Sequence, residues 1–245
     1  MDAPAIPSPG ADMFDRFISR GDAKTGRTDG ALPLRQVTGV LVLGAAACGL
    51  TLALFRLWAA IGLTLAGRDT GWPEEVGPLQ LMPVLLGLGL APLAWESLVG
   101  RRPLHELGLC LPVGTPGWRP WAESAALGSL FLLYLWLFPP LLGLAAPPDT
   151  AGLSLRLVNW LWVAAGEELL FRGIVQGRIA QAWGPLRGWS LSALLFAFPF
   201  HWGACLVHQL GVLLPAGLVF GSLRMRHRSL LFPIMLHWWG NVLLA

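Results

Sequence analysis

Charge is scarce in this chain. Only 13% of its 245 residues are charged, whereas 55% are hydrophobic. A soluble domain of this length carries about 25% charged residues. The composition therefore argues against a soluble enzyme and for an integral membrane protein. Cysteine is scarce as well. Cys48, Cys110 and Cys205 lie far apart, in or beside apolar segments, so no disulfide framework or metal-ligand spacing appears and packed thiols are expected. No repeat of about 20 to 50 residues is present. A signal peptide is not expected either. The polar N-terminal stretch is too long and too acidic, and the apolar run after it is too long. The net charge is only +3, and the Arg residues form short clusters between apolar runs. That pattern suits anchoring of loops at a membrane surface and speaks against nucleic-acid binding.

What is present is a succession of apolar runs. Residues 1–36 are polar and rich in Pro, Gly and Asp, and read as a mostly disordered cytoplasmic tail. Within it a short surface helix is expected around Met13 to Ile18. Apolar segments follow at 37–66, 79–98, 121–145, 154–175, 189–203, 206–223 and 229–245. Most reach the roughly 20 residues needed to cross hydrocarbon. The expected fold is an all-α polytopic bundle of about seven transmembrane helices, six to eight being compatible with the runs. Residues 37–145 supply its N-terminal helices. Pro83, Pro92, Pro139, Pro140, Pro199 and Pro215 fall inside spans and should kink them.

The basic residues set an orientation. With the N-terminus cytoplasmic, the inner segments hold Arg16, Arg20, Lys24, Arg27, Arg35, Arg101, Arg102, Arg119, Arg178, Arg187, Arg224, Arg226 and Arg228. The outer side holds Arg68 and Arg156. Thirteen against two is a strong bias under the positive-inside rule, and a bacterial inner membrane is the expected location. Arg56 lies inside the first span and has no partner legible in the sequence. His227, among the last Arg residues, reads as an interfacial loop residue. Glu96, Glu123 and His105 read as side chains that snorkel to the cytoplasmic boundary. Trp118, Trp121, Trp183 and Trp189 read as an interfacial belt.

The stretch WLWVAAGEELLFRGIV, residues 160–175, breaks the apolar pattern. Glu167, Glu168 and Arg172 lie within six residues of an intended span, and a charge near the bilayer centre costs at least a few kcal/mol. Glu168 and Arg172 are four apart, share a helix face and can pair. Glu167 lies about 100° around the helix and is left for chemistry. At about 1.5 Å of rise per residue, Glu167 sits roughly 12 Å from the inner boundary. His201 lies roughly 18 Å up the fifth span, and His237 and Asn241 about 12 and 18 Å up the seventh. Three spans thus bring polar groups to similar depth. A carboxylate and an imidazole can hold a water and take its proton. A second imidazole and an amide can donate to a developing oxyanion. Hydrolysis is the chemistry this set suits.

These residues carry a resemblance. EELLFRG (167–173), the His201 segment and HWWGN (237–241) resemble the motifs of the CAAX protease and bacteriocin-processing family, CPBP, also called Abi. That family includes the type II CAAX prenyl endopeptidases, which are glutamic intramembrane proteases. The resemblance covers about residues 150–245, which it marks as the catalytic membrane core. It implies that Glu167 activates water, that His201 holds the same water, and that His237 with Asn241 forms the oxyanion site. Glu168 and Arg172 would support the architecture and bind the substrate. The family usually has Phe four residues before the second-motif His. Here that position is Ala197, flanked by Phe196 and Phe198, and Pro199 offers a local bulge that restores the register. His208 is the alternative candidate for the second-motif histidine; with His201 in that place, His208 is grouped with the supporting residues, as a packed or cavity-lining histidine.

No cofactor and no metal are expected. The partners implied are membrane lipids and a membrane-associated or lipidated peptide or protein, and the oligomeric state is open. Two other readings stand beside this one. Two His and a Glu can hold zinc with an open water position, although HExxH is lacking and Asn241 is a poor zinc ligand. A non-catalytic transporter or bacteriocin-immunity factor would use the same scaffold, although transporters often show paired repeats and none is visible.

Overall fold

In a computed structural model of the chain, the described residues are 31–65, 80–112, 118–144 and 152–244. The proposed surface helix at Met13 to Ile18 and most of the polar tail lie outside them. All regular structure among the described residues is helical, in seven continuous helices. These are α1 (Ala31–Leu65), α2 (Met82–Leu98), α3 (Arg119–Leu141), α4 (153–183), α5 (185–200), α6 (Leu206–His227) and α7 (Leu231–Leu244). Stretches in α1, α3 and α6 are long and apolar enough to cross a membrane, and α2 is a shorter apolar helix. The protein is an integral membrane protein built as a helical bundle. The helix α1 starts at Ala31, inside the stretch read as tail, and α4 continues eight residues past the expected end at Val175.

Four stretches have the wider π geometry: 85–90 in α2, 169–175 in α4, 196–200 in α5 and 209–213 in α6. Three lie at or beside the span prolines. A proline lacks the N–H that an α-turn needs, so a carbonyl one turn earlier must find another donor. At Pro215 that carbonyl belongs to Gly211, and it accepts the Tyr134 hydroxyl. The fourth stretch has no proline and begins directly after Glu168.

The helices around α4 are bound together by close backbone approaches. A Cβ on Gly166 would lie 2.7 Å from the Val84 carbonyl oxygen, and one on Gly89 would lie 3.1 Å from Gly166 Cα. Only glycine permits α2 and α4 to touch in this way. One apolar cluster joins Val40, Leu88, Leu170, Phe171 and Phe196, and another joins Phe131, Phe220, Phe232 and Leu236. The antiparallel pair α4 and α7 is tied at one end, where Arg156 donates to the Val242 carbonyl and Trp238 Nε1 to that of Leu157 at 2.6 Å.

At the other end, the segment 101–112 forms a strap under the bundle. Leu107 in it is fully buried, and the Gly108 carbonyl accepts Leu230 N–H. Ser229 Oγ donates to the Cys110 carbonyl, and Arg224 to that of Glu106. Glu96 is buried here, not snorkelling: its Oε2 lies 2.6 Å from Arg178 and 3.7 Å from Arg102. Glu123 is exposed and pairs with Arg226 at 2.7 Å. His227 is also buried. It bonds Ser124 Oγ at 2.9 Å and packs on Phe232, so it is a packing residue between α3 and α6 and not a loop residue. Cys205 is exposed, against the expectation of packed thiols, because it lies in the turn between α5 and α6.

Candidate active site

The site forms where α4, α5, α6 and α7 meet. Glu168 is completely buried and sits between two cationic or donor groups. Its Oε1 lies 3.0 Å from Arg172 NH1 and 2.8 Å from His237 Nδ1. The first contact is the helical i,i+4 pair legible from the sequence. The second crosses from α4 to α7. A carboxylate at Nδ1 fixes that nitrogen as the donor and aims Nε2 the other way. His237 Nε2 accordingly lies 3.7 Å from Glu167 Oε2. That gap is too long for a direct hydrogen bond.

Arg172 is 1% exposed. Its guanidinium lies over the rings of Phe196 (4.5 Å to the centroid), Phe220 (5.3 Å) and Phe171 (5.9 Å). Among the described residues, its Nε and NH2 have no hydrogen-bond partner; ring faces cover the cation instead. Phe220 also stacks on the His237 ring at 4.9 Å. Arg172 and Glu168 are thus enclosed, and Glu168 also meets the His237 ring at Nδ1.

His201 closes α5 and is half-buried. Its Nδ1 lies 2.6 Å from the Phe196 carbonyl oxygen, so it donates there and leaves Nε2 free to accept. The rings of Phe196 and His201 meet edge to face at 4.7 Å. The π turn explains the pairing. One extra residue per turn puts Phe196, five residues back, in register with His201, where an ordinary helix would present Ala197. The Phe196 ring also lies 6.0 Å from the His237 ring, so it stands between the two imidazoles. The turn is held by Gln209, whose amide donates to the His201 carbonyl at 2.9 Å. His201 lies near both Glu167 and His208. Asn241 lies one turn beyond His237 on α7, half-buried and without a side-chain hydrogen bond among the described residues.

Several contributors were missed in the sequence. Phe196, Phe220 and Gln209 shape the cage and the turn. Gln209 had a signal, a polar amide inside an apolar run. Asn159 had a similar one, and its side chain accepts the Leu81 N–H at the start of α2. The two phenylalanines had none, because a ring facing a cation reads like any other apolar residue. Among the described residues, no group of three or more His, Cys, Asp or Glu side chains is placed to hold a metal ion.

The buried carboxylates and imidazoles form an acid–base constellation inside an all-helical membrane bundle, an arrangement suited to hydrolysis. Residues 149–243 match the family model described as type II CAAX prenyl endopeptidase, Rce1-like. Over this C-terminal region the chain is similar to the CAAX protease family whose motifs the sequence carries, a likeness that implies a membrane protease. No curated protein and no solved structure matches it.

Proposed function

We propose that the protein is a glutamic intramembrane endopeptidase that hydrolyses a peptide bond of a membrane-associated or lipidated polypeptide. The observation that carries this reading is the 3.7 Å gap between Glu167 and His237, beside a second carboxylate that holds His237 in place. In the proposed reaction a water donates one proton to Glu167 and hydrogen-bonds the free Nε2 of His201. Its oxygen attacks the scissile carbonyl. The new oxyanion is met by N–H groups of His237 Nε2 and the Asn241 amide. Glu167 then passes the proton to the departing amine, and the product carboxylate leaves.

The charge count supports these roles. With both ring nitrogens of His237 protonated, Arg172 and His237 face Glu167 and Glu168, two charges against two. A neutral cluster costs least in a dry interior, and in that state Nε2 has a proton to donate. Glu168, Arg172 and Phe196 act as positioning residues for the two imidazoles. His208 is a neighbour of His201 and takes no step. The excess of basic residues on one side supports a cytoplasmic N-terminus, and a bacterial inner membrane is the location that goes with this reading.

The test is Glu167→Gln in reconstituted membranes. Gln keeps the shape but cannot take a proton from water, so cleavage of membrane peptides should vanish while the protein stays folded and inserted. Full cleavage by this variant would remove the glutamate mechanism.

A further inference from the structure

One helix reaches both imidazoles of the site without supplying a reacting group to the proposed reaction. Gln209 and Phe220 both lie on α6 and are buried. The Gln209 amide donates to the His201 carbonyl at 2.9 Å. The Phe220 ring stacks on the His237 ring, with centroids 4.9 Å apart and planes inclined by 23°. Each contact supplies what the local bonds leave free. His201 stands where α5 ends, at φ −105° and ψ 39°, and its ring bonds Phe196 inside the same turn. The bond from Gln209 ties that turn to a second helix. The Glu168 bond at Nδ1 fixes one atom of the His237 ring. It does not fix the ring plane, because the terminal torsion of His is broad and a packed neighbour must select it. Phe220 is such a neighbour, and the ring plane decides where Nε2 points.

The helix α6 is itself a fixed reference. From α3 the Tyr134 hydroxyl donates to the Gly211 carbonyl, inside the π turn that begins with Gln209. From α4 Gln176 donates to the Gly221 carbonyl at 3.1 Å, next to Phe220. From α5 Trp189 donates to the Leu218 carbonyl at 2.8 Å. A Cβ on Gly217 would lie 3.0 Å from Ala193 Cα, so α5 and α6 meet backbone to backbone. We infer that Gln209 and Phe220 are positioning residues, through which α6 sets the placement of His201 and His237 relative to each other. Their part in turnover rests on the peptidase reading; the placement of the two rings rests on geometry alone.

Gln209→Met and Phe220→Leu in the full-length protein test this. They remove the amide donor and the ring face but leave an apolar side chain in each place. Phe232→Leu is the control. It removes a ring from the same apolar cluster, where that ring meets Trp121 and His227. Rates in reconstituted membranes, corrected for the folded fraction, should show kcat lowered about 10- to 100-fold in both test variants, as expected for reacting groups misplaced by about 1 Å. KM should change little, and Phe232→Leu should turn over at the native rate. Protein labelled at histidine carries five rings to assign by NMR in detergent. Phe220→Leu should move the His237 signal through loss of the ring current and leave that of His201. Gln209→Met should move or broaden the His201 signal and leave that of His237. Native kcat in either test variant, an equal loss in Phe232→Leu, or unmoved His201 and His237 signals overturns the inference. If Phe220→Leu does not fold, Gln209→Met decides by the same two readouts. The histidine signals need no cleavage. A Glu167→Gln protein that still cleaves would therefore remove the glutamate mechanism, and the placement of the rings would stand or fall by those signals.

Discussion

The helices α1 and α4 are both over thirty residues long, yet they are made for different surroundings. In α1 the most apolar window has a mean hydropathy of 2.2, and only 17% of it is buried against the rest of the protein. Its outward face carries Val42 and Leu52, both more than 60% exposed. In α4 the stretch from Val163 to Val175 is buried almost throughout, and it carries Glu167, Glu168 and Arg172. By length and apolarity α1 qualifies as a membrane span, while α4, with its charges, does not. Hydropathy thus finds the helices that face lipid. It undervalues the helix that faces protein, because a buried helix can satisfy polar groups that lipid cannot.

The sharpest way to break this contrast is to remove one charge from α4. Arg172→Leu leaves Glu167 and Glu168 facing one positive partner fewer in a closed site, and breaking a buried pair in this way costs about 3–5 kcal/mol. Denaturant titration in detergent should show that loss. A Glu168→Leu, Arg172→Leu double variant should recover most of the stability and none of the activity, since His237 loses its acceptor. If the single and double variants are equally unstable, the pair is not what holds the polar cluster.

Asn241→Ala comes next. Loss of an oxyanion donor typically lowers turnover about 100- to 1,000-fold, and substrate affinity should change little. Initial rates over a range of peptide concentrations separate the two. A chelator should not reproduce the effect; activity that disappears with chelator and returns with zinc would turn Glu167, His201 and His237 into metal ligands.

Gly166→Val tests the contact between α2 and α4. The added Cβ would lie 2.7 Å from the Val84 carbonyl oxygen and 3.0 Å from Leu85 Cα, both backbone atoms. Overpacking of this kind costs about 1–3 kcal/mol, to be read as a lower unfolding midpoint. The smallest effect belongs to α1. Val42→Ala removes a lipid-facing side chain, and exposed substitutions away from special features stay within about 0.5 kcal/mol. A larger loss would show that α1 is covered by a partner.

Much of the fold was legible because its signals are local. Seven apolar runs became seven helices, and the i,i+4 spacing of Glu168 and Arg172 gave their ion pair. What was not legible depends on contacts across the chain. The last turns of α4 look polar in sequence, yet Gln176 donates to the Gly221 carbonyl and Arg178 pairs with Glu96, so the helix continues. His227 stands among arginines and yet turns inward to Ser124. The link from Glu168 to His237 spans 69 positions and has no local trace. The departure at Ala197 was visible, and a bulge at Pro199 was the expected remedy. The π turn at 196–200 supplies the shift that puts Phe196 against His201. Arg56 is exposed on α1, and nothing in the structure explains it.

The aromatic cage around Arg172 has a consequence for how the protein is made. Two of its three rings, Phe196 and Phe220, lie on α5 and α6, and the second group held by Glu168 lies on α7. All three are synthesised after α4. When α4 first leaves the ribosome it carries charged groups whose shelter does not yet exist. It is therefore the helix least able to enter the bilayer alone. The shelter of its charges is complete only when the last three helices, about sixty further residues, have been added.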